Sequence, residues 1–315
     1  MAGRLSAWTW RGAPSAGLDM TPGGPARAAA IVGLVALFAL TVTAATRGAD
    51  ERAAAPAANP EPSRRLSAMG RDAMLGAYGG ASYTHASVVT IRNPGRTDFS
   101  LQGFGWEGQP FKSPIYYGLR TLSWPAGARF GGMLDFTHAK AIARASDTAS
   151  FSGTLEGQPL PPTAKVGDVF SHLEFSHGHN IVTLNGLVGL GTFWPQVRPY
   201  GGLGAGVSLP HTEIGLRREN ARTYEYQYAG VVAQALAGIE VRLGAGSVFF
   251  EYKFTYAPYE VPLSGVTNGW LLFTDLWRQL KAWAAGERPP GGTLATTLAT
   301  HHGIAGILVR VNRAR

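Results

Sequence analysis

The chain contains no cysteine, which excludes disulfide bonds, thiolate catalysis and thiolate-bound metal sites. Charge is also scarce: Asp, Glu, Lys and Arg make up 15% of the 315 residues, whereas a typical soluble domain carries about 25%. Glycine, in contrast, is frequent, with 42 residues. This composition fits neither a disordered chain nor a typical cytosolic enzyme.

Long apolar runs are scarce too, apart from residues 27–46, RAAAIVGLVALFALTVTAAT. This run follows basic residues and ends in small ones, as a secretory signal peptide does. We interpret residues 1–45 as an N-terminal extension and signal peptide, with Met20 as an alternative start, and residues 46–71 as a disordered Ala/Pro linker. An uncleaved membrane-spanning helix is the alternative, since about 20 apolar residues suffice to cross a bilayer.

Alternating residues predict strands in the remaining part, residues 72–315. In SVFFEYKFTY, for example, Phe250, Tyr252 and Phe254 alternate with Glu251 and Lys253. Strands are predicted at about 72–84, 114–124, 129–141, 179–191, 198–210, 226–243, 247–257 and 300–311. Three short connections alternate with four long ones, the pattern of outer-membrane barrels. The sequence therefore predicts an all-β fold, an eight-stranded antiparallel transmembrane β-barrel in the outer membrane.

Charged residues on the inward side of these strands are expected to pair inside the barrel, where side chains fill a narrow lumen. They are Arg120, Asp135, Glu240, Arg242, Glu251 and Lys253, with Arg310 as a further candidate. A filled lumen argues against bulk transport. The net charge of +8 suits a partner with phosphates, but the absence of a recognition fold argues against nucleic acid.

All eight histidines lie where predicted strands meet the long connections. Histidine ordinarily titrates near pH 7, so this crowding points to proton transfer or ligand binding at the outer rim. The densest group is FSHLEFSHGHNIVTLNG, residues 170–186, which holds His172, Glu174, His177 and His179. Its spacing matches no helical HExxH motif, so metal binding by His177 and His179 stays open beside a simpler interpretation, a polar loop running into a strand.

Strand parity assigns each candidate to one side of the sheet. It puts His138, Lys140 and His211 outward, at the depth of lipid headgroups. It puts His177 and His179 inward, although a single bulge would exchange sides.

One long connection has a helical period instead. In residues 268–286, Trp270, Phe273 and Trp277 recur at helical spacing, with Asp275 and Arg278 elsewhere. The pattern predicts a short amphipathic helix in the last extracellular loop. Its apolar side either lies in the membrane interface or packs over the barrel mouth.

Six blocks resemble the outer-membrane lipid A oxidase family of Gram-negative bacteria: GFGWEGQPFKSPIYYGLR, MLDFTHAKAIA, HLEFSHGHNIVTLN, RPYGGLGAGVSLPHTEI, TYEYQYAG and FFEYKFTY. The resemblance covers roughly residues 75–256 and the last strand. It implies an eight-stranded barrel and an oxygen-dependent oxidation of the proximal glucosamine of lipid A to an aminogluconate unit. Two features depart from the family pattern, namely the insertion at 268–286 and the ending VRVNRAR without a terminal aromatic residue.

The resemblance implies lipid A or lipopolysaccharide as the partner, within outer-membrane lipid, and we expect a monomer. The acceptor would be molecular oxygen, with a divalent metal ion as an option, because flavin and nicotinamide fingerprints are absent. Lys140 would bind phosphate, and a histidine or Glu174 would take the proton released at the oxidised carbon. Candidate catalytic residues are His138, Glu174, His177, His179 and His211, and candidate substrate contacts are Lys140, Tyr116, Tyr117 and Trp277.

Two other functions remain open at this stage. One is a lipid A 3-O-deacylase-like hydrolase, in which His85 and Ser87 of THAS act as base and nucleophile. The other is a non-enzymatic barrel that stabilises the outer membrane or binds a ligand.

Overall fold

The computed structural model describes residues 72–125, 128–191, 194–218, 222–244 and 246–311. The predicted signal peptide (1–45) and linker (46–71) lie outside the described residues. The described chain is all-β, with two short helices. Neither of these helices is long and apolar enough to cross a membrane.

The strands and helices of the described chain are numbered here in chain order. The strands are β1 (Asp72–Thr84), β2 (Val89–Asn93), β3 (Thr97–Gln102), β4 (Trp106–Glu107), β5 (Tyr117–Trp124), β6 (Phe130–Ala143), β7 (Thr148–Leu155), β8 (Gln158–Pro159), β9 (Thr163–Lys165), β10 (Phe170–Gly189), β11 (Val197–Ser208), β12 (His211–Leu216), β13 (Arg222–Tyr226), β14 (Gly230–Leu243), β15 (Gly246–Pro262) and β16 (Thr293–Arg310). The helices are α1 (Val166–Val169) and α2 (Leu272–Ala284).

The long strands form a closed ring within one antiparallel sheet. They pair in the order β1, β5, β6, β10, β11, β14, β15 and β16, and β16 pairs back with β1. Alternation predicted a strand at each of these places, and the predicted adjacency of β6 and β10 is confirmed. The errors are in length: β10 begins at Phe170 rather than at 179, and β16 begins at Thr293 rather than at 300.

Large apolar side chains line the outer side of the ring, which we call the apolar belt. Every ring strand contributes at least one, with exposed fractions from 47% to 73%: Leu75, Leu119, Phe130, Leu184, Leu203, Val231, Ile239, Phe250, Ile307 and Val309. A continuous surface of this kind is unusual for a protein surrounded by water, where large exposed apolar patches mark contact with a membrane or a partner.

The inner side of the ring carries the predicted ion pairs. Arg120 Nε lies 3.0 Å from Asp135 Oδ1, and Arg120 Nη2 lies 2.9 Å from Glu251 Oε1. Lys253 Nζ lies 2.8 Å from Asp135 Oδ2, and the Tyr200 hydroxyl donates a 2.7 Å hydrogen bond to Glu251 Oε2. All of these groups are buried, and each charge has a partner of opposite sign, as buried charges require. The predicted network is confirmed for these four charged residues.

The long connections fold into further strands, which the sequence analysis did not predict. We call β2–β4, β7–β9, β12, β13 and α1 the cap. Strand β2 continues the sheet from β16, and β12 pairs with the N-terminal part of β10. The cap shares one hydrophobic cluster with the ends of β10, β15 and β16; its large members include Ile91, Phe99, Leu101, Phe151, Phe175, Tyr259, Val261 and Leu294. The extra length of β10, β15 and β16 is explained by this packing.

Helix α2 presents its polar side to the protein and its apolar side outward. Asp275 accepts a hydrogen bond from the backbone N–H of Tyr226, and Gln279 accepts one from the N–H of Tyr228. Trp277 is 59% exposed, and Phe273 is 75% exposed. The predicted helix is confirmed, but the alternative in which its aromatic side packs over the barrel mouth is wrong. Backbone amides of the β13 segment hold the polar side, so the aromatic side faces away.

Candidate functional site

A β-bulge in β10 decides which way the histidine-rich segment faces. Strand β10 advances from Phe175 to His179 while its partner β6 advances only from Ala141 to Ala139. Gly178 lies inside the bulge with φ +139°, a conformation that side-chain-bearing residues rarely adopt. Because of the bulge, side chains do not simply alternate between the two sides of the sheet here, so His177 and His179 need not face the same side.

His177 and His179 therefore lie on opposite sides of the sheet. His179 is fully buried, and its Nδ1 is hydrogen-bonded to the Tyr259 hydroxyl in the hydrophobic cluster of the cap. Burial lowers the pKa of His179 to about 3, so it is neutral at physiological pH. His177 lies on the outer side, where its Nδ1 is 3.6 Å from Glu213 Oε2. The expectation that both point inward holds for His179 only, and the two do not converge on one metal ion.

His177, His211, Tyr224 and Trp270 form a group that we call the histidine box. The ring centroid of His211 lies 5.2 Å from that of His177 and 4.4 Å from that of Tyr224. The ring centroid of Trp270 lies 5.0 Å from that of His177 and 5.3 Å from that of His211. The sequence analysis named only the two histidines as site candidates and took Trp270 as part of the amphipathic helix, because Tyr224 and Trp270 belong to distant segments.

His211 is fixed in one tautomer. Its Nε2 lies 2.9 Å from the carbonyl oxygen of Gly269, which can only accept, so Nε2 carries the proton. The other nitrogen, Nδ1, has no partner among the described protein atoms. Burial lowers the pKa of His211, with a smaller contribution of the same sign from His177. The residue is a neutral imidazole whose Nδ1 lone pair has no partner but is itself buried, so it acts as a general base only where a substrate hydroxyl reaches it.

His138 has the same arrangement with a different partner. Its Nδ1 lies 2.8 Å from Asn180 Oδ1, and the Asn180 amide nitrogen donates to the carbonyl of Leu209, which fixes the amide orientation. Nδ1 is therefore the protonated nitrogen, and Nε2 has no partner among the described atoms. The ring stacks on Tyr117, with centroids 4.8 Å apart. Burial lowers the pKa of His138 and the hydrogen bond with Asn180 acts in the opposite direction, while the Lys140 ammonium lowers the pKa further.

A histidine and two carboxylates converge beside the histidine box, and we call them the acid–histidine group: His172, Glu174 and Glu213. Glu174 and Glu213 are direct partners across the β10–β12 pair. His172 Nδ1 lies 3.0 Å from Glu174 Oε1 and 3.0 Å from Glu213 Oε1. Arg222 makes a short contact with Glu213. Burial raises the pKa of Glu213, and the Glu174 carboxylate raises it further against the opposite effects of Arg222, His172 and His177.

This group is also where the described residues could hold a metal ion. One ligand atom from each of its three members lies within 4.8 Å of the other two. Imidazole nitrogen and carboxylate oxygen are common ligands of divalent transition metals. The sequence candidates for a metal, His177 and His179, are not this group, because the bulge separates them.

The remaining predicted residues lie at different depths. Lys140 is buried, and its ammonium donates to the carbonyl oxygens of Lys112 and Ser113, at 2.9 and 3.2 Å. Tyr116 points into the ring and hydrogen-bonds to His302 at 3.0 Å. The expected outward exposure of His138, Lys140 and His211 is therefore wrong, since 5% or less of each is exposed. Tyr117 and Trp277 lie on the outer surface, exposed as a substrate contact requires.

The alternative pair for a hydrolase is not joined in the structure. His85 Nε2 lies 2.7 Å from His301 Nε2, whereas the Ser87 hydroxyl lies 2.9 Å from that of Thr296 and accepts from the indole N–H of Trp106. A nucleophile and its base would be expected within hydrogen-bond distance of each other. No observation in the described residues favours that function.

One sequence signal could have revealed the missed carboxylate. The tripeptides HLE (172–174) and HTE (211–213) repeat the pattern His-x-Glu in two strand segments. Period two puts both members of each tripeptide on one side of its strand, and antiparallel pairing then brings Glu174 opposite Glu213. Asn180, Arg222, Tyr224 and Trp270 carry no comparable signal, because their roles depend on contacts between distant segments.

Comparison with known proteins gives no family assignment. A scan against protein-family models finds no match to the chain, and no curated protein is significantly similar to it. The function is therefore proposed from the geometry above together with the sequence blocks.

Proposed function

We propose that this protein is an outer-membrane enzyme that oxidises the proximal glucosamine of lipid A to an aminogluconate unit, with molecular oxygen as the acceptor. The observation that supports the proposal is a pair of buried imidazoles on the outer side of the sheet, His138 and His211, each with one ring nitrogen that has no hydrogen-bond partner among the described atoms. The resemblance of six sequence blocks to the lipid A oxidase family agrees with it.

The ring is, in this proposal, an eight-stranded transmembrane β-barrel. The apolar belt would face lipid, and the buried ion pairs would fill the lumen, as in other narrow barrels. The spanning parts are about 74–83, 117–124, 130–136, 181–189, 197–207, 231–243, 246–256 and 303–310. The cap and both groups of site residues would then lie just beyond the hydrocarbon of the outer leaflet, at headgroup depth.

Lipid A suits a site in this position. Its acyl chains lie in the membrane and its sugars lie at headgroup depth, so the glycolipid reaches the outer side of the barrel by lateral diffusion without entering the lumen. The exposed ring of Tyr117 stacks on His138, and the ring of Trp277 on α2 is exposed as well. Lys140 holds the backbone at 112–113, so the exposed Lys112 is better placed than Lys140 to meet a phosphate.

Oxidation of the sugar needs a base and an acceptor. A hemiacetal carbon that becomes a lactone loses two electrons and two protons, and reduction of oxygen to hydrogen peroxide takes up the same number. Water then opens the lactone to the aminogluconate acid. The free nitrogen of His138 or His211 would take the hydroxyl proton, a role that contributes about 10² to 10⁴ in rate.

Mass spectrometry of lipid A tests the proposal directly. Lipid A from cells that carry the gene should contain a proximal sugar with one additional oxygen atom, and lipid A from a deletion strain should not. His138→Ala should lower the oxidised fraction at least tenfold, whereas His301→Ala, at the apolar belt, should retain activity.

Other outcomes of the same experiment would contradict the proposal or favour one of the alternative functions. Unchanged lipid A, with the protein folded in the outer membrane, would contradict it. Loss of an acyl chain would select the hydrolase, and normal lipid A with increased detergent sensitivity on deletion would select a non-enzymatic barrel.

A further inference from the structure

We propose that His172, Glu174 and Glu213 bind one divalent transition-metal ion, with Mn²⁺ and Fe²⁺ as the best-suited ions. The inference rests on the proposed function for the use of the ion in oxidation, whereas ion binding itself follows from the geometry of these three side chains.

The distances within the acid–histidine group match a coordination shell. Two ligand atoms at right angles around an ion, each about 2.1 Å from it, are about 3.0 Å apart. His172 Nδ1 lies 3.0 Å from the nearest oxygen of Glu174 and 3.0 Å from that of Glu213. A single N–H donates fully to only one of two oxygens, whereas a nitrogen lone pair and two carboxylate oxygens can share one cation.

The charges also favour a cation. Two carboxylates face each other directly across the β10–β12 pair, where like charges destabilise a sheet. Arg222 contacts Glu213 Oε1, the same oxygen that faces His172, and supplies one positive charge against the two negative ones. One net negative charge remains, and a bound cation would remove this excess. Glu213 Oε2, on the far side of this carboxylate, faces His177 Nδ1 at 3.6 Å and links the group to the histidine box.

The donor set narrows the choice of ion. One imidazole with two carboxylates suits manganese, iron or zinc, and the chain has no cysteine that would favour softer metals. Side-chain exposure falls from 37% for His172 to 19% for Glu174 and 5% for Glu213. The group therefore opens outward on the His172 side, where water or a substrate oxygen could complete the shell. A bound ion of this kind would supply Lewis-acid or oxygen-activating chemistry next to the histidine box, to which Glu213 is linked through His177.

Titration of the purified full-length protein with Mn²⁺ tests the inference. The protein in detergent micelles is first treated with a chelator and dialysed, and free Mn²⁺ is then followed by electron paramagnetic resonance. We expect one saturable site per chain. His172→Ala and Glu213→Gln should each weaken Mn²⁺ binding at least tenfold, whereas Glu287→Gln, an exposed carboxylate after α2, should bind like the parent.

Two controls keep the result interpretable. Glu213 is buried, so His172→Ala, which changes a half-exposed side chain, provides the decisive comparison if Glu213→Gln does not fold. Co-purified lipopolysaccharide binds cations equally in every variant, so only differences between variants report on the protein site. Equal Mn²⁺ affinity of His172→Ala and the parent would overturn the inference. The absence of a saturable site would overturn it as well. If lipid A is oxidised but the protein has no saturable Mn²⁺ site, only the inference of ion binding is refuted. If the Mn²⁺ site is present but lipid A is unchanged, only the proposed oxidase function is refuted.

Discussion

At the scale of single residues, the site depends on partners that fix each imidazole in one tautomer. The carbonyl of Gly269 fixes His211, and the oriented amide of Asn180 fixes His138. Each partner accepts a hydrogen bond from one ring N–H, so the other ring nitrogen carries the lone pair. Burial then keeps both rings neutral, since an imidazolium ion loses hydration energy in such a place.

We predict that His138 titrates below pH 6.5, the ordinary value for histidine. Desolvation disfavours its charged form, so the pKa is lowered, and the ring stays neutral until the pH falls through that lowered value. Nitrogen-15 NMR of histidine-labelled protein measures both the pKa and the tautomer. The resonance that disappears in His138→Gln should show a protonated Nδ1 and an unprotonated Nε2.

The opposite tautomer, or a pKa at or above 6.5, would remove His138 as a base. If His138 is the base, the oxidation rate should decrease as the pH falls through the same lowered pKa, because only neutral His138 accepts a proton. The groups that face His138 are Asn180, Tyr117, Lys140 and His177. Of these, Lys140 carries a charge that lowers the pKa of His138, and the hydrogen bond with Asn180 acts in the opposite direction.

At the scale of single elements, helix α2 has the reverse of the orientation expected for a helix on a water-soluble domain. Its buried residues are Asp275, Leu276 and Gln279, whereas Phe273 and Trp277 are exposed. Arg278 also pairs with buried Glu225 at 2.6 Å. Rotating the helix to bury its aromatic residues would break these hydrogen bonds and ion pairs, so the exposed aromatic side is available to lipid headgroups and acyl chains.

We predict that the aromatic side of α2 lies in the membrane interface. The natural chain has no cysteine, so a spin label on Trp277→Cys reports from one site only. In proteoliposomes the label should be more accessible to oxygen, which dissolves in lipid, than to a water-soluble nickel chelate. A label on Ser152→Cys, exposed on cap strand β7, should show the opposite preference. If the label at position 277 is more accessible to the nickel chelate, as the label at position 152 should be, α2 lies in water.

At the scale of the whole molecule, two interiors of different chemistry are joined in one sheet. The ring encloses charged and aromatic residues such as Arg120, Asp135 and Lys253, whereas the cap encloses an apolar cluster. The polar interior lies behind the apolar belt, the reverse of the arrangement in a water-soluble protein, whereas the apolar cluster of the cap lies behind more polar outer residues such as Ser152. The site lies on the outer surface of the sheet, near the change from one kind of interior to the other.

We predict that the ring interior tolerates loss of a charge poorly. Lys253→Met leaves Asp135 buried with Arg120 as its remaining cation, and breaking such a pair costs about 3 to 5 kcal/mol. Arg92→Gln, which removes an exposed pair with Asp98, should cost less than about 1 kcal/mol. The free energy of unfolding in urea and detergent measures both changes. If Lys253→Met loses as little stability as Arg92→Gln, the network contributes little to the free energy of unfolding.

The sequence by itself determined the strands of the ring, the pairing of the buried charges and the presence of α2. These features follow from local patterns: period two for strands, period 3.6 for the helix, and the need of buried charges for partners. The cap strands were missed because segments such as VTIRN are only five residues long and alternate too briefly to stand out.

Only the tertiary structure decided which residues meet at the site. The bulge around Gly178 sends His177 outward and His179 inward, and nothing in the spacing of the two fixes its position. Glu213 joins Glu174 because β12 pairs with β10 in one register, and a shift by one residue would turn its side chain to the opposite side. The physical reason is that strand patterns are local, whereas the convergence of side chains depends on register between segments that are distant in the chain.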